Sequence, residues 1–221
     1  MLNRGARPKG TYPHGLSMHQ FETDNCAMQT DSSTAQDVPY READAPRGPV
    51  APSGRFMMAH PAHVMALGFG SGLSPKAPGT AGTLWAWLSF ALLQNRLSDT
   101  QWGVLIAVSV LLGWWACTIT ARHMRVMDPG SIVWDEIAAF WGVLWLASPM
   151  GFWGQAAAFA LFRFFDAVKP GPVAWADQLY HGVDPAADPA AWRKAGWGIM
   201  LDDLVAAFCT LLVIALWRVW W

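Results

Sequence analysis

Carboxylates gather in three stretches of an otherwise apolar sequence: Asp135 and Glu136 in Gly130-Ser-Ile-Val-Trp-Asp-Glu136, Asp166 in Phe162-Arg-Phe-Phe-Asp166, and Asp202 and Asp203 in Gly196-Trp-Gly-Ile-Met-Leu-Asp-Asp203. Ionised side chains beside apolar helices are costly unless they are paired, hydrated or bound to a metal. A first-turn interaction with the helix dipole would excuse Asp135 and Glu136. It does not excuse the same arrangement recurring on three segments, where the acids would repel one another unless a cation gathered them. Asp135, Glu136, Asp166, Asp202 and Asp203 are therefore the candidate metal ligands and catalytic acids, and an all-oxygen donor set favours magnesium over zinc or copper.

Two further features suit a phosphate. Arg163, Asp166 and Lys169 recur at i, i+3 and i+6 before Pro170, a basic-acidic-basic row that fits a phosphate and its metal. The plainer alternative is a salt-bridge ladder, whose exposed pairs contribute only about 0.3–0.5 kcal/mol each. The stretch from Gly68 to Thr83 is rich in glycine, proline and hydroxyls and opens into an apolar run. Such a loop lets backbone N–H groups approach an anion at a helix N-terminus. Gly70, Ser71, Gly72, Ser74, Pro78, Gly79 and Thr80 are its candidate substrate contacts, with Arg163 and Lys169. It lacks the Lys-Ser/Thr ending of a Walker loop, and on composition alone an ordinary turn with Thr80 or Thr83 as helix cap is the plainer reading. Asp128 before Pro129 reads as another cap. His181, next to Gly182, is either a proton donor to a leaving alkoxide or a solvated loop histidine.

The elements that must position these residues are helices. From His60 onward apolar runs alternate with polar, glycine-bearing loops, with no alternating strand pattern and no internal repeat, so the fold class is all-α. The runs are 83–97, 101–120, 132–147, 152–165 and 204–221, which places Asp202 and Asp203 at the start of the last helix. Several are shorter than the roughly 20 residues that cross a hydrocarbon core. The chain is 53% hydrophobic and 14% charged, and tryptophans stand near the ends of the runs, so a compact membrane-embedded bundle of about five hydrophobic helices is expected. If all five cross, Lys76, Arg122, Arg125, Arg163, Lys169, Arg193 and Lys194 share one side and only Arg96 and Arg218 the other. The positive-inside rule then puts the acids at the cytoplasmic helix ends.

Residues 1–57 are polar and rich in proline, glycine and serine, and are expected to form a disordered extension before a helical domain at 58–221. No basic stretch followed by an apolar run lies near Met1, so no cleaved signal is expected. A net charge of −1 without a basic stripe sets nucleic acid aside as a partner. Cys26, Cys117 and Cys209 are too scattered for a zinc pattern or a disulfide framework.

Taken in order, Gly-Phe-Gly-Ser-Gly-Leu-Ser-Pro with Pro-Gly-Thr, Gly-Ser-Ile-Val-Trp-Asp-Glu, Phe-Arg-Phe-Phe-Asp with Lys-Pro, and Gly-Ile-Met-Leu-Asp-Asp make residues 60–221 resemble the bacterial phosphatidylglycerophosphatase A family. The resemblance implies a magnesium-dependent, multi-pass inner-membrane enzyme that converts phosphatidylglycerophosphate to phosphatidylglycerol. Residues 1–57 and an insertion at 183–195 depart from the expected pattern, and the insertion bears on any role for His181. The rival from another class is a small membrane divalent-cation transporter or binding protein, whose acids would line an ion path near the bilayer midplane. Oligomeric state and acyl-chain preference leave no mark in the sequence.

Overall fold

The computed structural model describes residues 48–180 and 183–220. Among them it is entirely helical: α1 (Gly54–Met58), α2 (Pro61–Ala66), a 3-10 stretch (Gly68–Leu73), α3 (Pro78–Leu93), α4 (Asp99–Met124), α5 (Trp134–Leu146), α6 (Phe152–Val168), α7 (Pro172–Gln178) and α8 (Ala191–Trp220). Of the expected extension only 48–57 fall within the described residues. There Val50 N–H donates to the Met124 carbonyl at 2.9 Å and Ser53 caps α1.

Local chemistry sets the element ends. Ser98 and Gln101 form a reciprocal capping box at the start of α4, and left-handed Arg125 closes its far end. Helix α3 opens on Pro78 after a left-handed Ala77, so neither Thr80 nor Thr83 is its cap. Thr83 instead donates its hydroxyl to the Gly79 carbonyl at 2.9 Å. The N-cap position of α5 is Val133, five residues after Asp128, and the helix begins at Trp134.

Helix α5 is the centre of the bundle. Its residues Trp134–Trp141, with Val143 and Leu144, are all buried, and it packs against α3, α4, α6 and α8. From Ile137 to Leu144 the helix is apolar on every side and has no solvent face to offer, so burial on all sides follows there. Phe140 and Phe162 meet at 5.3 Å between ring centroids and are fully buried, each such side chain contributing about 1.5–3 kcal/mol.

Among the described residues two helices, α4 and α8, are long and apolar enough to cross a membrane, with mean hydropathies of 2.0 and 2.3 over their 18-residue apolar windows. The last helix corrects the sequence reading: it starts at Ala191, not near Leu204, so Asp202 and Asp203 lie well inside it. Gly196 allows a close approach, since a Cβ on it would stand 2.1 Å from Thr118 Oγ1 and 2.8 Å from its backbone nitrogen. The glycine lets α8 lie directly on α4. Near its other end, Arg218 donates to the carbonyl of Ala147 and, at 3.3 Å, to that of Pro149.

Candidate active site

The first turn of α5 supplies Asp135 and Glu136, the last turn of α6 supplies Asp166, and the interior of α8 supplies Asp202 and Asp203. Four of these five acids are buried, and Asp166 is half-buried. One carboxylate oxygen each from Glu136, Asp166 and Asp203 fall within 4.8 Å of one another. Asp135 Oδ1, Glu136 Oε2 and Asp203 Oδ2 are buried without a hydrogen-bond partner. Buried acceptors of this kind are rare in folded proteins, and each one left unsatisfied costs about 1–3 kcal/mol. Three of them on neighbouring acids, in an oxygen-only donor set, fit a hard divalent cation.

The two cations of the expected row do not share one face. Arg163 Nη1 reaches Glu136 Oε1 at 3.2 Å, pairs with Asp166, and touches Thr83 Oγ1 at 3.5 Å. Lys169, left-handed at φ 48° where α6 ends, turns away from that helix and pairs with Asp177 Oδ1 at 2.5 Å and with Asp202. Burial alone would lower the Lys169 pKa; the bonds to Asp177 and Asp202 outweigh it and hold the amine protonated well above its ordinary range. Asp202 is thus committed to Lys169, and its Oδ1 accepts the Asp203 backbone N–H at 3.0 Å.

The glycine-bearing stretch lies against the same turn of α5. A Cβ on Gly79 would come 1.9 Å from Glu136 Oε1, and one on Gly72 2.1 Å from the Ser131 carbonyl oxygen. Pro78 and Thr80 flank Gly79 in the first turn of α3. Ser71 and Ser74 donate their hydroxyls to the carbonyls of Gly68 and Lys76, both at 2.8 Å, and Gly70 is left-handed at φ 105°. His181 lies outside the described residues.

Asp177 is the member the sequence reading missed. It sits in the short helix α7, a lone acid with no repeated motif around it to mark it. A cleft beside Asp202 is lined by Met127, Asp128, Asp177, Tyr180, Ala195, Gly198 and Ile199.

Among the described residues, then, a helical chain with two membrane-length helices carries an acid nest, faced by a glycine-bearing loop and two cations, that could hold a metal ion. The family described as PgpA, phosphatidylglycerophosphatase A, matches residues 64–218. The chain is 40% identical to phosphatidylglycerophosphatase A of Escherichia coli strain K12 over 162 residues, 73% of this chain and 86% of that protein. It is 36% identical to phosphatidylglycerophosphatase A of Haemophilus influenzae over 169 residues, 76% of this chain and 96% of that protein. No solved structure matches it. The chain belongs to the phosphatidylglycerophosphatase A family, a family of phosphoric monoester hydrolases.

Proposed function

We propose that the chain hydrolyses the terminal phosphomonoester of phosphatidylglycerophosphate, releasing phosphatidylglycerol and phosphate, at the cytoplasmic face of a bacterial inner membrane. The observation that carries this reading is the set of unpartnered buried oxygens on Asp135, Glu136 and Asp203, beside the converging oxygens of Glu136, Asp166 and Asp203. Glu136, Asp166 and Asp203 would hold a magnesium ion, with Asp135 and Asp202 completing the acidic wall. When bound, magnesium would polarise the phosphoryl oxygens and offset the charge that builds as the ester bond breaks.

The protein's own groups do the rest. Asp135, with Oδ1 unpartnered, orients the attacking water and takes its proton. Arg163, already fixed at the edge of the cluster by Glu136 and Asp166, meets an equatorial phosphoryl oxygen. Lys169, held protonated, supplies the second positive charge. The new bond runs from water oxygen to phosphorus, the bond to the glycerol oxygen breaks, and that oxygen leaves as an alcohol after gaining a proton, with His181 the candidate donor. Gly70, Ser71, Gly72, Ser74, Pro78, Gly79 and Thr80 form the wall on the α3 side.

The depth of the site supports an interfacial reaction. From Asp203 to the end of α8 is about 25 Å at ~1.5 Å per residue, close to the roughly 30 Å of a hydrocarbon core. The turns before Asp202, which carry Arg193 and Lys194, would then stand outside it. The shorter helices α3, α5 and α6 would complete a compact membrane-embedded bundle around the two membrane-length ones.

The direct test is phosphate release from phosphatidylglycerophosphate by the detergent-purified protein, with magnesium and then with chelator. Magnesium-dependent release that chelation removes is expected. No release from folded protein, together with divalent-cation uptake into proteoliposomes, would put the transporter reading in its place.

A further inference from the structure

Phe69 stands in an unusual backbone state. Gly68, Phe69 and Gly70 have φ of 53°, 54° and 105°, three successive left-handed residues of which the middle one carries a large aromatic side chain. Bulky residues rarely adopt that region, and such strain persists where the surroundings demand it. Burial is not the demand here, because Phe69 is 55% exposed while Gly68 and Gly72 on either side are buried. The glycines are pressed against α5, where a Cβ on Gly68 would meet Val133 and Ile137 within 3 Å. The left-handed turn is what swings the one large side chain of this stretch outward.

Where it swings is specific. The Phe69 ring stacks on Trp85 at 5.3 Å and meets Trp134 edge-on at 5.9 Å. Trp134 is the residue before Asp135, so the ring packs on the helical turn that carries Asp135 and Glu136. Trp85 follows Leu84 on α3, and Leu84, Leu88 and Leu92, four residues apart, form an exposed apolar line along that helix. Through Trp85, the neighbour of Leu84, Phe69 lies on the first half of α3, from which this line runs. An apolar track that begins beside a phosphate-handling site matches one ligand: a lipid whose phosphate enters the site while an acyl chain stays against α3.

Resting on the lipid-phosphatase reading, we propose that Phe69 is a specificity-determining residue that contacts the glycerol–acyl junction of the diacyl substrate, with one acyl chain along Leu84, Leu88 and Leu92. Its contribution lies in binding the membrane-borne part of the substrate, apart from the phosphoryl chemistry.

The test compares two phosphomonoester substrates, long-chain phosphatidylglycerophosphate in vesicles and a water-soluble dibutyryl analogue, on the wild type, Phe69→Ala, Phe69→Trp and Phe69→Gly. The expected result is about a tenfold rise in KM on vesicles for Phe69→Ala at unchanged kcat, with no change on the soluble analogue and near-normal behaviour for Phe69→Trp. Phe69→Gly, which relieves the backbone strain while also removing the ring, should match Phe69→Ala. Equal losses on both substrates, or no loss on vesicles, would overturn the proposal, as would full activity of Phe69→Gly on vesicles. A wild-type protein inert on both substrates would overturn the phosphatase reading itself, which is a separate pattern.

Discussion

Gly79 and Glu136 are in contact in the fullest sense: the hydrogen of the glycine Cα occupies space that a methyl group could enter only by displacing the carboxylate, since a Cβ would stand 1.9 Å from Oε1 and 3.1 Å from Arg163 Nη1. A structural approach of α3 to α5 thus fixes the position of one acid and its cation together.

Gly79→Ala should therefore push Glu136 out of the cluster. We expect a loss of about 1–3 kcal/mol in stability from overpacking and a fall in phosphate release on the order of 100-fold from misplacement of the acid. Thermal unfolding in detergent and a phosphate assay measure the two separately. Wild-type activity would show that Glu136 can move without cost.

Asp203→Asn and Asp135→Asn should each abolish turnover, by about 100-fold or more, while leaving a folded, inserted protein. For Asp203→Asn the loss should be accompanied by weaker binding of manganese, followed by its electron paramagnetic resonance signal. Tight manganese binding in that variant would remove Asp203 from the ligand set.

Asp177→Asn tests the neighbouring pair. With one of its two acid partners neutralised, Lys169 should lose orientation, and kcat should fall by about 10- to 100-fold, the range seen when a group that positions another is removed. Asp202 still holds the amine, so the loss should be in kcat with the protein as stable as the wild type by thermal unfolding. An unchanged kcat would mean that Asp177 does not orient Lys169.

His63 gives a pH dependence of known sign. Burial holds its imidazole below the ordinary value, the Phe56 carbonyl opposes this, and the nearby His123 and His60 reinforce it. Its Nδ1 bonds the Phe56 carbonyl and its Nε2 meets His123 Nδ1, both at 2.8 Å, while His60 Nδ1 caps α2. The unfolded chain then takes up the proton first, so this stabilisation is present above about pH 6.5 and is lost as pH falls from there through the folded value. Amide exchange over residues 57–66, corrected for its intrinsic rate, should quicken between pH 7 and 5, and His63→Gln should flatten that response.

Gly196→Ala should force α8 away from α4, because the added methyl would meet Thr118 backbone as well as its hydroxyl. A loss of about 1–3 kcal/mol is expected. Thr118→Ala should rescue it only in part, since the backbone contacts at 2.8 and 2.9 Å remain. Complete rescue would locate the clash in the hydroxyl alone.

The acids were legible in the sequence because ionised groups among apolar residues demand an explanation, and their recurrence supplied one. The helical class was legible for the same reason, through long apolar runs broken by glycine and proline. Less was readable where one residue type serves two purposes. The apolar run that marks α8 begins at residue 204, whereas the helix begins thirteen residues earlier at Ala191, where Arg193, Lys194 and two glycines interrupt the apolar pattern. Arg163 and Lys169 share a spacing that suggests a common face, but the left-handed turn at Lys169 sends it to Asp177 and Asp202. Asp177 itself could not be singled out, because a lone acid in a short polar segment looks like any solvated residue. The contact of His63 with His123 joins positions sixty residues apart, which no local pattern reveals.

Because Asp203 and Arg218 lie on one unbroken helix, about 22 Å apart at ~1.5 Å per residue, the Asp202–Asp203 pair and the carbonyl anchor at Ala147 and Pro149 are rigidly linked. On the proposed reading helix α8 would act as a gauge: a thicker host membrane would draw these acids below the plane where phosphates lie, and a thinner one would lift them clear of it. The lipid that such an enzyme makes helps to compose the bilayer it measures, so its output would feed back on its own depth.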